Sequence, residues 1–162
     1  MYNEVEIEIN QFPTHIHISK NKIQKIPGNS IYSGMHPMVR SKLFHMMHDF
    51  LLQYIPDGYN VLTPISLDIK FYVPINYGDV RFIKKNNAVS WKVPPADYVP
   101  RWDIDNLAWP WNKAILDVLV KKFIIEDDTV EQVQSVRYHF FPCETLEERK
   151  IVINIQTLNV LD

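Results

Sequence analysis

Residues 101–131 read RWDIDNLAWPWNKAILDVLVKKFIIEDDTVE, and three patterns follow one another within them. Asp103 and Asp105 stand two apart after a proline-rich run, PPADYVPR. In an extended backbone alternate residues share a face, so both carboxylates point the same way. Ile115, Leu116, Leu119 and Val120 then recur at helical spacing, with Lys121 and Lys122 at the negative end of the helix dipole. This predicts a helix over roughly 111–122. An apolar pair, Ile124-Ile125, finally leads into Glu126, Asp127 and Asp128 at the mouth of a further strand. If the helix packs antiparallel to its flanks, the two acidic groups meet at one end.

Working outward, strands surround this helix. Residues 4–9 alternate Glu with Val or Ile, and 14–19 alternate His with Ile, both strand patterns. Residues 20–36 carry Pro27, Gly28, Asn29 and Gly34 and read as a loop. Pro37 suits a first helical turn, and Val39, Leu43, Met46, Met47, Phe50, Leu51 and Tyr54 extend a helix toward Pro56-Asp57-Gly58. Residues 60–73 read as a strand in which Pro64 indicates an edge or a bulge. Residues 79–83 and 88–93 read as short strands turning at Asn86-Asn87, and 129–141 and 150–159 as closing strands. The expected fold class is α+β: one domain over 1–162, a mixed and largely antiparallel sheet packed by two main helices.

Composition narrows the function. With 162 residues, 46% hydrophobic and 22% charged, the chain suits a single globular domain. Four glycines and no GxGxxG or P-loop string remove the usual nucleotide-binding fingerprints. A lone cysteine, Cys143, excludes an internal disulfide and a cysteine-based zinc site. The acidic, alternating start is unlike a secretory leader and no apolar run is long enough for a membrane helix, so a cytoplasmic protein with no membrane partner is expected. Net charge is −2, yet its distribution is uneven. Lys20, Lys22, Lys25, Arg40 and Lys42 fall in a stretch without acids, and Arg81, Lys84, Lys85, Lys92 and Arg101 in another with Asp97 alone. Residues 123–148 are acidic. Basic surfaces around an acidic focus suit a metal-dependent enzyme acting on a polyanion; solvated faces of a near-neutral protein would give the same counts.

Three converging carboxylates repel one another unless a cation neutralises them. Oxygen-only donors select Mg²⁺ or Mn²⁺ over zinc. The alternative is that Asp103 or Asp105 caps the next helix and Asp127-Asp128 marks a turn.

The compound string of DIDNL, a lysine, a helix containing LDVL, and a downstream EDD resembles the RusA-type Holliday-junction resolvases, phage- and prophage-associated endodeoxyribonucleases. The resemblance covers about residues 99–131. It implies that Asp103, Asp105 and Asp128 are catalytic and hold Mg²⁺ (or Mn²⁺), that Lys113 is the essential lysine, and that the fold is an α+β domain in an intertwined homodimer acting on branched DNA. Asp127 and Asn106 would support the ligands, and Arg101, Lys84, Lys85, Lys92, Lys20, Lys22 and Lys25 would bind DNA phosphates. A four-way junction has twofold symmetry, which a symmetric dimer matches.

One departure stands out. The family lysine follows the first Asp of the motif by six residues, a place taken here by Trp109; Lys113 comes four later, although Lys113, Asp117 and Asp128 keep the family's mutual spacing. Two readings are open: residues 108–111 bulge out, or they add a helical turn that shifts Lys113 by roughly 6 Å. A plain i, i+4 salt bridge from Lys113 to Asp117 is the structural alternative. His45 and His48, at i, i+3, and His15 and His17, on one strand face, read as incidental. Trp102, Trp109, Trp111 and Tyr98 are candidates for base stacking or for core. Two rival functions remain at this level: a non-catalytic junction-binding protein of the same fold, and a metal-dependent hydrolase of a small phosphate ester.

Overall fold

The structure is a computed structural model; it describes residues 3–13, 15–19, 22–25, 34–59, 61–74, 81–85, 88–92, 104–145 and 147–158. For 15–19, 22–25, 81–85, 88–92, 104 and 105 only the backbone is described. The elements run β1 (Glu4–Asn10), β2 (His15–Ser19), β3 (Lys22–Lys25), α1 (Pro37–Leu51), β4 (Ile65–Pro74), β5 (Arg81–Lys85), β6 (Ala88–Lys92), α2 (Ile104–Lys121), β7 (Val133–Cys143) and β8 (Lys150–Thr157).

Four strands form a mixed sheet in the order β1-β8-β4-β7, with β2-β3 and β5-β6 as separate two-stranded pairs. The β1-β8 and β8-β4 pairs are antiparallel and β4-β7 is parallel. Register places the apolar half of each alternating strand in continuous rows: Val5, Ile155, Leu67 and Val136; Ile7, Ile153, Ile69 and Tyr138; Ile9, Ile151, Phe71 and Phe140. A one-residue slip would turn every row to solvent, so the pattern itself fixes the pairing. The opposite face is largely polar and paired across strands, with Val152, Tyr72 and Phe141 among its apolar members. Lys150 Nζ meets Glu8 at 2.7 Å, Asn154 Nδ2 donates to Glu6 at 2.8 Å, and Arg137 Nε meets Asp68 at 2.8 Å.

Both helices join this core. α1 buries Leu43, Met47 and Leu51, and starts with Pro37 at N1 while the His36 ring accepts the Met38 N–H. α2 buries Leu107, Ala108, Trp111, Ala114, Ile115, Val118 and Leu119. Trp111 is fully buried, edge-on to Phe12 and to Phe50 at centroid distances of 5.6 and 6.1 Å. Trp111 is therefore core rather than a base-stacking platform; Trp102 and Tyr98 lie outside the described residues.

Three expectations are corrected. α2 starts at Ile104, well before residue 111, and runs unbroken through Pro110. Proline removes one helical hydrogen bond, yet its fixed φ is compatible with helix, and Pro110 is itself buried beside Leu107, Ala108 and Trp111. Apolar burial outweighs the lost bond, at ~1.5–3 kcal/mol for each large side chain. Residues 108–111 thus add a turn rather than a bulge, and Asp105 sits in helix rather than in extended chain. Next, Lys22–Lys25 is a strand paired with β2, not loop. Last, of the two readings of Pro64 the edge is corrected, since β4 is a central strand, while the bulge is borne out: the β4-β7 register shifts between Ile65 and Ser66, directly after Pro64. The Asn86-Asn87 turn and the loop at 94–101 lie outside the described residues.

α2 ends in a tight closure: Ile124 N–H bonds the Leu119 carbonyl and Phe123 N–H that of Val120, each at 3.0 Å. This is the geometry that usually places glycine at the left-handed position. Here that position is Phe123, with φ +56° and 86% exposed. Phe123→Gly removes strain and no packing, so it is expected to stabilise the fold by about 0.5–1 kcal/mol, a rise of roughly 1–4 °C in Tm. Thermal melting checks this; a fall in Tm would show that the Phe123 ring is packed.

Candidate active site between α2 and the acidic turn

The second half of α2 and the turn before β7 bring Lys113, Asp117 and Asp128 together; of the metal ligands expected from the sequence, Asp128 alone has a described side chain. Lys113 projects from α2 with its Nζ 2.7 Å from Asp117 Oδ1, one turn on, and 3.4 Å from Asp128 Oδ2 in the turn. The i, i+4 pair with Asp117 is therefore present, and the same ammonium also reaches Asp128. Being 47% exposed, Lys113 is open to a ligand. Its pKa lies above the usual lysine range: the Asp117 hydrogen bond raises it most, partial burial lowers it, and the charges of Asp117 and Asp128 raise it further. The side chain is a fixed cation at neutral pH and not a proton acceptor.

The acidic turn is built to hold Asp128. Asp127 accepts the Asp128 backbone N–H through Oδ1 at 2.8 Å, a local side-chain-to-backbone bond within the turn. Gln132 Oε1 accepts the N–H groups of Glu126 and Asp127 at 3.0 and 3.1 Å. Ile124 and Ile125 anchor the turn in the core. Gln132 is a positional residue that the acidic pattern alone does not reveal.

A second unforeseen residue comes from α1. His48 Nε2 lies 3.2 Å from Asp117 Oδ2, so the histidine read as incidental is bonded into this cluster. His45 instead turns back to the Ser41 carbonyl at 2.8 Å. Trp109, in the place of the family lysine, packs edge-on against Phe44 of α1 at 6.3 Å.

Asp103, Arg101 and Lys20 lie outside the described residues. Asp105 occupies the second position of α2, eight residues before Lys113 and about 12 Å along the axis; its side chain is not described. Asn106 is half-buried near the start of α2. Lys22 and Lys25 lie on β3, Lys84 and Lys85 on β5 and Lys92 on β6, their side chains again not described. Among the described residues no group of three His, Cys, Asp or Glu stands close enough to hold a metal ion. Asp103 and the Asp105 side chain, expected as ligands from the sequence, are outside that set. The donors in question are carboxylates, hard oxygen ligands that fit Mg²⁺ or Mn²⁺.

Fold and site define a small α+β protein in which an ammonium ion and two carboxylates meet at the surface. Residues 47–156 match the family described as endodeoxyribonuclease RusA. The match spans well over half of the chain, from the end of α1 to β8, and the chain belongs to that family, a family of nucleases. No match is found among curated proteins. No helix among the described residues is long and apolar enough to cross a membrane.

Proposed function

We propose that the chain is a Mg²⁺-dependent endonuclease that resolves four-way DNA junctions by paired phosphodiester hydrolysis, in cytoplasmic recombination and repair. The observation that carries this reading is the Lys113 ammonium held between Asp117 and Asp128 on an exposed surface, within a RusA-family chain.

Asp103, Asp105 and Asp128 would hold Mg²⁺, with Mn²⁺ as a substitute. Bound there, the ion supplies a Lewis acid for the phosphoryl group and lowers the pKa of a water. The chain's own groups do the rest. Lys113 keeps its proton and places a positive charge where the phosphate gains negative charge and the leaving oxygen departs. Asp127, through the Asp128 N–H, holds the turn that aims the Asp128 carboxylate. Asn106 supports the other ligands. Arg101, Lys84, Lys85, Lys92, Lys20, Lys22 and Lys25 engage flanking phosphates, which makes binding salt-sensitive.

A homodimer supplies the second nick, one site per strand, with the symmetry of the junction. β7 supports this: it is an end strand of the sheet, eleven residues long, and carries Tyr138 and Phe141 more than a third exposed. Such an edge is a surface that a second copy would cover.

The test is incubation of the purified protein with a labelled four-way junction, a linear duplex and a phosphomonoester, with and without Mg²⁺. The expected outcome is Mg²⁺-dependent cleavage of the junction in preference to the others. Junction binding without cleavage would replace this reading with a binding protein, and hydrolysis of the phosphomonoester alone with a small-substrate hydrolase.

A further inference from the structure

The cluster around Lys113 is shared between two helices, and the contribution of α1 is a single side chain. Asp117 has two carboxylate oxygens, and each has its own partner: Oδ1 takes the Lys113 ammonium at 2.7 Å and Oδ2 lies 3.2 Å from His48 Nε2. A carboxylate at neutral pH only accepts hydrogen bonds, so the proton in the second contact sits on His48 Nε2. The two bonds together fix the carboxylate plane. With one of them removed, the group is free to turn about its terminal bond, which has a broad torsional minimum.

The histidine is itself held. Its ring tilts against Phe44 one turn earlier, at 6.3 Å, and Phe44 meets Trp109 of α2 edge-on. His48 and Asp117 are only 26% and 30% exposed, so water competes less for this bond than for a surface pair. The chain of contacts runs His48, Asp117, Lys113, Asp128, from the last turn of α1 through α2 to the acidic turn.

We propose that His48 is a positioning residue for the nuclease reaction: by fixing Asp117 it holds the Lys113 ammonium toward Asp128 and the phosphate. This rests on the reading of Lys113 as the site's cation. His48 touches neither substrate nor reacting atoms. Its effect belongs in the rate of the chemical step and not in affinity for DNA.

The experiment compares wild type, His48→Leu and His48→Gln in single-turnover cleavage of a labelled four-way junction, with junction Kd and thermal melting measured on the same preparations. Leucine fills similar space without a donor, whereas the glutamine Nε2 donates from nearly the same place. His48→Leu is expected to slow cleavage by about 10–100-fold, the usual range for loss of a supporting hydrogen bond, with Kd unchanged. His48→Gln is expected to restore most of the rate. A wild-type rate in His48→Leu overturns the proposal, as does an equal loss in His48→Gln. A loss seen only in Kd or Tm also overturns it. Absence of cleavage by wild type itself would instead sink the nuclease reading on which the proposal rests.

Discussion

Replacing Trp111 by alanine is expected to lower stability by about 3–5 kcal/mol, the usual cost of emptying a large aromatic site in a core. At this chain length that corresponds to a Tm roughly 6–20 °C lower. Trp111 is fully buried and links three elements: it projects from α2, meets Phe12 just after β1, and meets Phe50 of α1. Phe12 in turn packs edge-on against Phe71 of β4 at 6.3 Å. Alanine leaves a void that rigid sheet rows cannot fill. One feature moderates the loss: Trp111 Nε1 is buried with no hydrogen-bond partner among the described residues, a standing cost that alanine removes. The lower end of the range is therefore favoured, and Trp111→Phe, which keeps an aromatic ring and drops the orphaned donor, should lose less than Trp111→Ala. Thermal or urea unfolding checks both. A change below about 1 kcal/mol for Trp111→Ala would contradict the placement of this side chain in the core.

Lys113→Ala is expected to reduce cleavage by about 10²–10³-fold, the usual range for removing one preorganised group that stabilises transition-state charge. Stability should move little. The Lys113 pairs are half exposed, and such pairs contribute at most about 1 kcal/mol. Junction affinity should also hold, because one phosphate contact among many is lost. The pH dependence has a definite sign. The lysine pKa is raised, chiefly by the Asp117 hydrogen bond, so the charged form is fully present below the ordinary lysine range. It is lost only as pH rises above that range, beyond about pH 10. The contribution of Lys113 to the rate should thus be flat from neutral pH to about pH 10. A rate profile that falls on an alkaline limb near pH 8, absent from Lys113→Ala, would contradict the assignment of a raised pKa.

Much of the fold is legible in the sequence because burial on one face writes itself as alternation. Val5, Ile7 and Ile9, and Leu67, Ile69 and Phe71, announce both their strands and their inward faces. The start of α2 is not legible. Pro110 signals a break by local chemistry, and only the tertiary burial of Leu107, Ala108 and Trp111 shows why the helix continues through it. β3 is hidden for a related reason: four residues with one isoleucine carry too little periodicity, and the pairing with β2 supplies the structure. The parallel β4-β7 pair joins segments far apart in the chain, which no local pattern encodes.

The site divides in the same way. Lys113, Asp127 and Asp128 are legible because charge next to apolar anchors is a local signal. His48 is not, since its bond to Asp117 crosses 69 residues and follows from how α1 lies on α2. A histidine on the polar side of an amphipathic helix looks the same in sequence whether it faces water or a carboxylate. Gln132 is equally silent, because a turn-closing side chain has no distinctive spacing. The added turn at 108–111 is visible as four extra residues, but its consequence, Trp109 seated against Phe44 and Lys113 paired one turn on, is visible only in the folded chain.

The most direct test of the central claim is cleavage of a labelled synthetic four-way junction, with and without Mg²⁺, by wild type beside Asp128→Asn. Asparagine keeps the shape of the acidic turn while removing the charge that faces Lys113. Paired, symmetric nicks that require Mg²⁺ and vanish in Asp128→Asn, with junction binding retained, are the predicted result. Nicks that persist in Asp128→Asn, or appear equally without a divalent ion, would contradict the assignment of this acidic cluster as the catalytic centre.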